Sequence, residues 1–185
     1  MKTLLQTLIF LCIANFTFSQ VDSVELVKII NSKFAQLASS PADIIDVNGV
    51  AYFHAKDEKN GTELWKSDGT ATGTVLIKDI SPGAGSSMPS DNELFNLNGK
   101  CYFAASNNVN GFELWVTDGT TLGTKMLKDI NPGGGHSADL IFGGYEFTDV
   151  NGTIFFKAIN GAEGTELWKT DGTAAGTVLV KDINT

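Results

Sequence analysis

Glu63-Leu64-Trp65-Lys66-Ser67-Asp68-Gly69-Thr70, with Gly73-Thr74 just beyond, decides the fold because it returns twice. The second copy is Glu113-Leu114-Trp115-Val116-Thr117-Asp118-Gly119-Thr120 with Gly123-Thr124. The third is Glu166-Leu167-Trp168-Lys169-Thr170-Asp171-Gly172-Thr173 with Gly176-Thr177. The tryptophans at 65, 115 and 168 stand 50 and 53 residues apart. Self-similarity at about 50 residues marks a repeat architecture, in which each unit buries its apolar face against a neighbour.

Working outward, Asp-Gly-Thr-x-x-Gly-Thr reads as a turn. The Asp carboxylate can accept from backbone amides two residues on, and Gly69 and Gly73 can adopt positive φ without steric cost. Upstream, Ile44–Val47, Leu94–Leu97 and Phe147–Val150 each run into an Asn-Gly pair, and Ala51–Phe53, Cys101–Phe103 and Ile154–Phe156 follow. Asn-Gly between apolar runs predicts a type I′ hairpin. The second strand of each pair is apolar at consecutive positions, as expected when both faces of a sheet are covered. A third strand carries Glu-Leu-Trp, and a fourth follows the turn at Val75–Ile80, Met126–Ile130 and Val178–Ile183. Residues 81–87 and 131–137, rich in Gly, Pro and Ser, read as crossovers between units.

Four short strands per unit of about 50 residues is the arithmetic of a β-propeller blade. The expected fold is therefore all-β, with three four-stranded antiparallel blades, one extra N-terminal strand and an incomplete ring. The boundaries are a signal peptide at 1–19 and an N-terminal strand, linker and start of blade 1 at 20–47. The rest of blade 1 takes 48–80, blade 2 takes 81–130 and blade 3 takes 131–185. Lys78-Asp79 and its copies suit an outermost strand, where charge discourages edge-to-edge pairing. A Trp in every unit suits packing between neighbouring blades.

The N-terminal strand is read from the repeat against a competing signal. Val24, Val27, Ile30, Phe34 and Leu37 recur at helical spacing. Yet Lys28, Lys78, Lys128 and Lys181 stand 50, 50 and 53 residues apart, which makes residues 24–30 a fourth copy of strand four. The helix remains the alternative.

Glu-Leu-Trp-x-x-Asp-Gly-Thr-x-x-Gly-Thr, followed by Lys-Asp-Ile and Asn-Pro-Gly, resembles the ELWxxDGT repeat family of secreted bacterial proteins over residues 23–185. The resemblance implies an extracellular, propeller-like array whose molecular activity is mostly undescribed. Trp65, Asp68, Gly69, Trp115, Asp118, Gly119, Trp168, Asp171 and Gly172 are its structural motif positions.

Composition narrows the classes of partner. Lys2, the apolar run Leu4–Ala14 and Thr17-Phe18-Ser19 form a secretory signal with cleavage before Gln20. The run is too short and too interrupted by Gln6 and Thr7 to span a bilayer, which takes about 20 apolar residues. Removing residues 1–19 takes one lysine and no acid, leaving 166 residues, 12 lysines and 21 acids, a net charge of −9. The chain holds no arginine, the side chain best suited to bidentate phosphate contacts, so nucleic acid is a poor partner. Cys101 alone survives into the mature chain, so packing without an intramolecular disulfide must hold the fold, and its apolar neighbours predict a buried, inert thiol.

No motif announces catalysis. Gly133-Gly134-Gly135 lacks the Lys-Ser/Thr of a phosphate loop. His136, Ser137 and Asp139 have triad chemistry but are too close in sequence to converge. His54, where the other units have Ala104 and Lys157, reads as an exposed substitution, and Asp57-Glu58 as a solvated loop tip. Asp68, Asp118 and Asp171 stand one per turn, which favours a structural role over calcium. The expected function is non-catalytic: surface interaction, adhesion or scaffolding toward an extracellular protein or polysaccharide, without cofactor, and with self-association through open blade ends. The alternatives are a carbohydrate-active or other hydrolytic enzyme with its site at the blade centre, and a fragment of a longer array with no function of its own. Intact mass of the exported protein should place Gln20 first; a mature chain retaining Leu4–Ala14 would end the argument for secretion.

Overall fold

The computed structural model describes residues 28, 30, 38–89, 93–138 and 144–184. The predicted signal segment 1–19 lies outside them, as does most of the predicted strand at 24–30, of which only Lys28 and Ile30 are described. Three four-stranded antiparallel sheets account for the described residues, and none of these is helical. The first sheet is β1 (Ala42–Val47), β2 (Val50–Asp57), β3 (Gly61–Ser67) and β4 (Val75–Leu76) in chain order. The second is β5 (Phe95–Leu97), β6 (Lys100–Ser106), β7 (Phe112–Thr117) and β8 (Lys125–Lys128). The third is β9 (Thr148–Val150), β10 (Thr153–Asn160), β11 (Gly164–Thr170) and β12 (Val178–Lys181).

Local chemistry explains the first hairpin of each sheet. Asn48, Asn98 and Asn151 take φ of 55°, 52° and 54°, and the glycines after them take 81°, 75° and 83°. Two consecutive positive φ values match the right-handed strand twist, so Val47 pairs Val50, Leu97 pairs Lys100 and Val150 pairs Thr153. Asp46 and Asp149 fasten their turns by accepting from Gly49 and Gly152 N–H at 2.7 Å. At the next hairpin Asp57, Asn107 and Asn160 each accept backbone N–H bonds from the residues two and three ahead. Asp57 is thus the closing residue of its hairpin rather than one half of a solvated acidic pair.

The core lies between the sheets, and alternation along the second strand divides it. Cys101, Phe103 and Ala105 join Trp115 in packing on Tyr52, Leu64, Ile77 and Ile80 of the first unit. Tyr102, Ala104, Leu114, Leu127 and Ile130 pack the other way, on Ile154, Phe156, Ala158 and Trp168. The middle sheet is therefore buried on both faces, which is why its second strand is apolar without a period of two. Trp65 lies in a third cluster with Phe53 and Ala55, against which Ile30 and Leu76 pack. Trp115 and Trp168 are thus inter-sheet residues, as expected, whereas Trp65 packs with residues of its own sheet and with Ile30.

The fourth strand ends sooner than predicted. The strands stop at Leu76, Lys128 and Lys181, with one further backbone bond from Ile77 N–H to Leu64 O in the first unit, and the chain then presents Ile80, Ile130 and Ile183 amides to a buried glutamate. Lys78 and Lys128 do not guard an edge. Their ammonium groups donate to Thr124 O at 2.7 Å and Thr177 O at 2.6 Å, pinning each unit to the next. Lys28 donates in the same way to Thr74 O at 2.7 Å, in keeping with the alignment of its lysine on strand four.

Trp115 fills the interface between the first two sheets, so Trp115→Ala should cost about 3–5 kcal/mol, in the range of large-to-small core changes. Denaturant titration measures it, and a loss below 1 kcal/mol would place the indole outside the packing that holds the sheets together.

Candidate functional site

The Asp-Gly-Thr-x-x-Gly-Thr turns consume their own polar groups. Asp68 Oδ1 accepts from Thr70 N–H at 2.9 Å and from its hydroxyl at 2.7 Å, while Thr70 Oγ1 accepts Gly73 N–H at 2.9 Å. Asp118 and Asp171 repeat this with Thr120 and Thr173. The Thr hydroxyl, then the Thr N–H, hold all three carboxyls below the usual range. Only glycine fits at position 73, since a Cβ would lie 1.9 Å from the Asp68 carboxylate. Beneath the turn the second Thr is buried: Thr74 Oγ1 donates to Thr70 O at 2.7 Å and lies 2.7 Å from Ser67 Oγ, which accepts Gly69 N–H. The motif Asp and Gly positions are therefore explained by the turn alone. Gly119 and Gly172 add a second reason, because the Tyr52 and Tyr102 hydroxyls of the preceding unit press against them.

The glutamate of Glu-Leu-Trp has a role the sequence reading did not assign. Glu63 is fully buried, and its carboxylate accepts from Ile80, Ser81 and Ser87 N–H and from the Ser87 hydroxyl. Glu113 does the same for Ile130 and Asn131 N–H and the Ser137 hydroxyl. Each carboxylate holds both ends of a crossover. Gly61 and Gly111 let the crossover close, as a Cβ there would meet Gly85 O at 2.3 Å and Gly135 O at 2.1 Å. Burial pushes both carboxyls up to about 7 against the opposing pull of these hydrogen bonds. The repetition of Glu in every copy was the available signal.

A third set of titratable groups follows the first strands, which in the first two sheets lie side by side. His54, expected to be exposed, is buried, and its Nε2 lies 2.7 Å from Asp43 Oδ2. The reason is register: β2 pairs His54 with Ala42, so the ring lies across from the bend where Asp43 takes a φ of 52°. In the third unit Lys157 and Glu146 occupy these positions, at 2.6 Å. The second unit has Ala104 and Glu93 there. Glu93 Oε2 accepts Phe147 N–H at 3.1 Å, and burial, with a smaller contribution from Glu146, raises its carboxyl above the usual range. A cleft of about 480 Å³ lined by His54, Lys56, Thr62 and Met88 opens beside the first of these pairs. Asp43, Glu93 and Glu146 stand 50 and 53 residues apart, a spacing that could have found them.

The remaining candidates separate. His136 Nδ1 accepts Phe112 N–H at 3.0 Å, while Ser137 Oγ lies 2.6 Å from the buried Tyr145 hydroxyl, so the two neighbours face different partners. Asp139 lies outside the described residues. Burial pushes the Cys101 thiol up to about 12. Among the described residues no group of three or more His, Cys, Asp or Glu side chains could hold a metal ion, and no helix is long and apolar enough to cross a membrane.

No protein-family model matches this chain, and no curated protein matches it. A solved structure titled Bacteroides ovatus Xyloglucan PUL GH43B is similar with a TM-score of 0.43 and 16% identity. The likeness covers 80% of this chain and 29% of that one.

The two buried glutamates set the pH dependence. Their carboxyls rise from 4.5 to about 7 on folding, so the folded state binds more protons than the unfolded chain between those values. Their stabilising effect is complete below 4.5 and is lost as pH rises through about 7. The lowered Asp68, Asp118 and Asp171 act oppositely, stabilising above their ordinary value of 3.8 and losing that effect as pH falls. Melting temperature should therefore peak near pH 4–5 and fall toward pH 8, with a shallower fall in Glu113→Gln; a melting temperature that rises from pH 5 to 8 would contradict this.

Proposed function

We propose that the chain is a secreted module of the ELWxxDGT repeat type, its sheets arranged as propeller blades in an incomplete ring. In this reading it binds an extracellular protein or polysaccharide through its loop tips and catalyses no reaction. The observation that carries it is a division of labour between repeated and unrepeated residues. The repeated polar groups are spent on the frame: Asp68 and its copies on turn amides, Glu63 and Glu113 on the crossovers, Thr74 and its copies on buried hydroxyls, Lys78 and Lys128 on the next unit's turn. The tips at 57–60, 107–110 and 160–163, and at 71–72, 121–122 and 174–175, differ from unit to unit. Val109 and Leu122 place large apolar side chains in solvent on those tips. Variable tips on a repeated frame are how a scaffold presents recognition residues.

The Glu93, Glu146 and Lys157 group, with His54–Asp43 beside its cleft, favours a second reading as a hydrolase, since a carboxyl raised by burial suits a general acid.

A glycan microarray and a panel of chromogenic aryl glycosides separate the two. The binding reading expects retention on the array that falls at least tenfold when Asn107–Asn110 is replaced by a Gly-Ser tip, with no glycoside turnover. Turnover abolished by Glu93→Gln would establish the hydrolase instead.

A further inference from the structure

The chain contains the same interface twice. The trailing face of the first sheet lies on the leading face of the second, and the second meets the third in the same way. Besides the apolar clusters, each junction seats a Tyr hydroxyl against the turn glycine, Tyr52 at Gly119 and Tyr102 at Gly172. Lys66 Nζ also donates to Gly119 O at 2.9 Å, and Thr121 Oγ1 to Ile77 O at 2.8 Å.

Both halves of this interface recur on the outer sides of the end sheets. On the leading side of the first sheet Ile44 is 65% exposed, whereas its counterparts Leu94 and Phe147 are 5% and 7% exposed. On the trailing side of the third sheet Leu167 is 39% and Ile183 70% exposed, against 0% for Leu114 and 4% for Ile130. Nothing lies within 4 Å of a Cβ built on Gly69, where the other two units hold a Tyr hydroxyl. A cleft of about 490 Å³ lies there, lined by Ile44, Ala51, Phe53, Gly69 and Thr74 among others. The trailing face of the third sheet carries what that cleft lacks: Phe155 stands at the position of Tyr52 and Tyr102, and Lys169 at that of Lys66.

We propose that the two faces join, so that a second copy of this chain docks head-to-tail with its third sheet on the first sheet of its neighbour. Phe155 enters the cleft at Gly69, Lys169 donates to the Gly69 carbonyl, and Leu167 covers Ile44. Lys181, the counterpart of Lys78 and Lys128, competes with Lys28 for the Thr74 carbonyl, so the N-terminal copy of strand four yields to the fourth strand of the incoming chain. Such a heterologous contact closes into a ring or runs on as a filament according to its rotation. This inference concerns self-assembly and stands apart from the ligand proposed above.

The test uses the mature chain and two variants on exposed positions, Ile44→Asp and Leu167→Asp, with folding checked by circular dichroism. Sedimentation and light scattering should find the wild type associating with concentration and each variant alone monomeric. An equimolar mixture of the variants should form a 1:1 pair that grows no further, since one intact leading face and one intact trailing face remain. Lys28→Ala should shift the wild-type equilibrium toward association. A wild type that stays monomeric throughout overturns the proposal. Variants that associate like the wild type overturn it too, by pointing to a face that pairs with itself, as does a mixture that stays monomeric.

Discussion

A four-stranded antiparallel sheet ends at its fourth strand, and the chain must leave it to begin the next. The crossover that results carries amides with no ladder to join, packed against a neighbouring sheet where water is excluded. An unpaired buried amide costs about 1–3 kcal/mol. Glu63 and Glu113 resolve this by turning a strand side chain toward the crossover and accepting from both of its ends. Everything downstream depends on that anchorage. It places Ile80 and Ile130 in the inter-sheet core, and it leads Ser87 and Ser137 to offer carbonyls to Ser106 and Ile159 of the following sheet.

Once the crossover is fixed, the sheets stack by one rule. Odd and even positions of the second and third strands go to different neighbours, with Phe103 and Trp115 facing back and Tyr102 and Leu114 facing forward. Lys78, just beyond the fourth strand, and Lys128, at its end, reach a threonine carbonyl of the next turn, as does Lys28 at the aligned position. Stability in such a stack is a sum of units and of nearest-neighbour interfaces. The end sheets have one interface each, and on their outer faces Ile44, Leu167 and Ile183 remain in solvent where their counterparts in the stack are buried.

The repeated polar residues and the chemically interesting ones are different sets. Asp68, Asp118 and Asp171 are exposed and titratable, yet their neighbouring Thr groups explain them fully. The line of Asp43, Glu93 and Glu146 is less regular, pairing with His in one unit, with Lys in another and with a backbone amide in the second.

The order of strands, the Asn-Gly hairpins, the turns and the inter-sheet place of Trp115 and Trp168 were all legible from the residues. Each rests on local backbone preference or on a spacing that repeats, and neither needs knowledge of distant contacts. The N-terminal lysine at 28 was legible for the same reason. The buried role of Glu63, the early end of the fourth strand and the burial of His54 were not. Each depends on which residues distant in sequence arrive at the same place: a crossover 17 to 24 residues away for Glu63, and a bend 11 residues back for His54. A lone Glu or His carries no mark of its burial, because the partner that makes burial tolerable is supplied only by the folded chain.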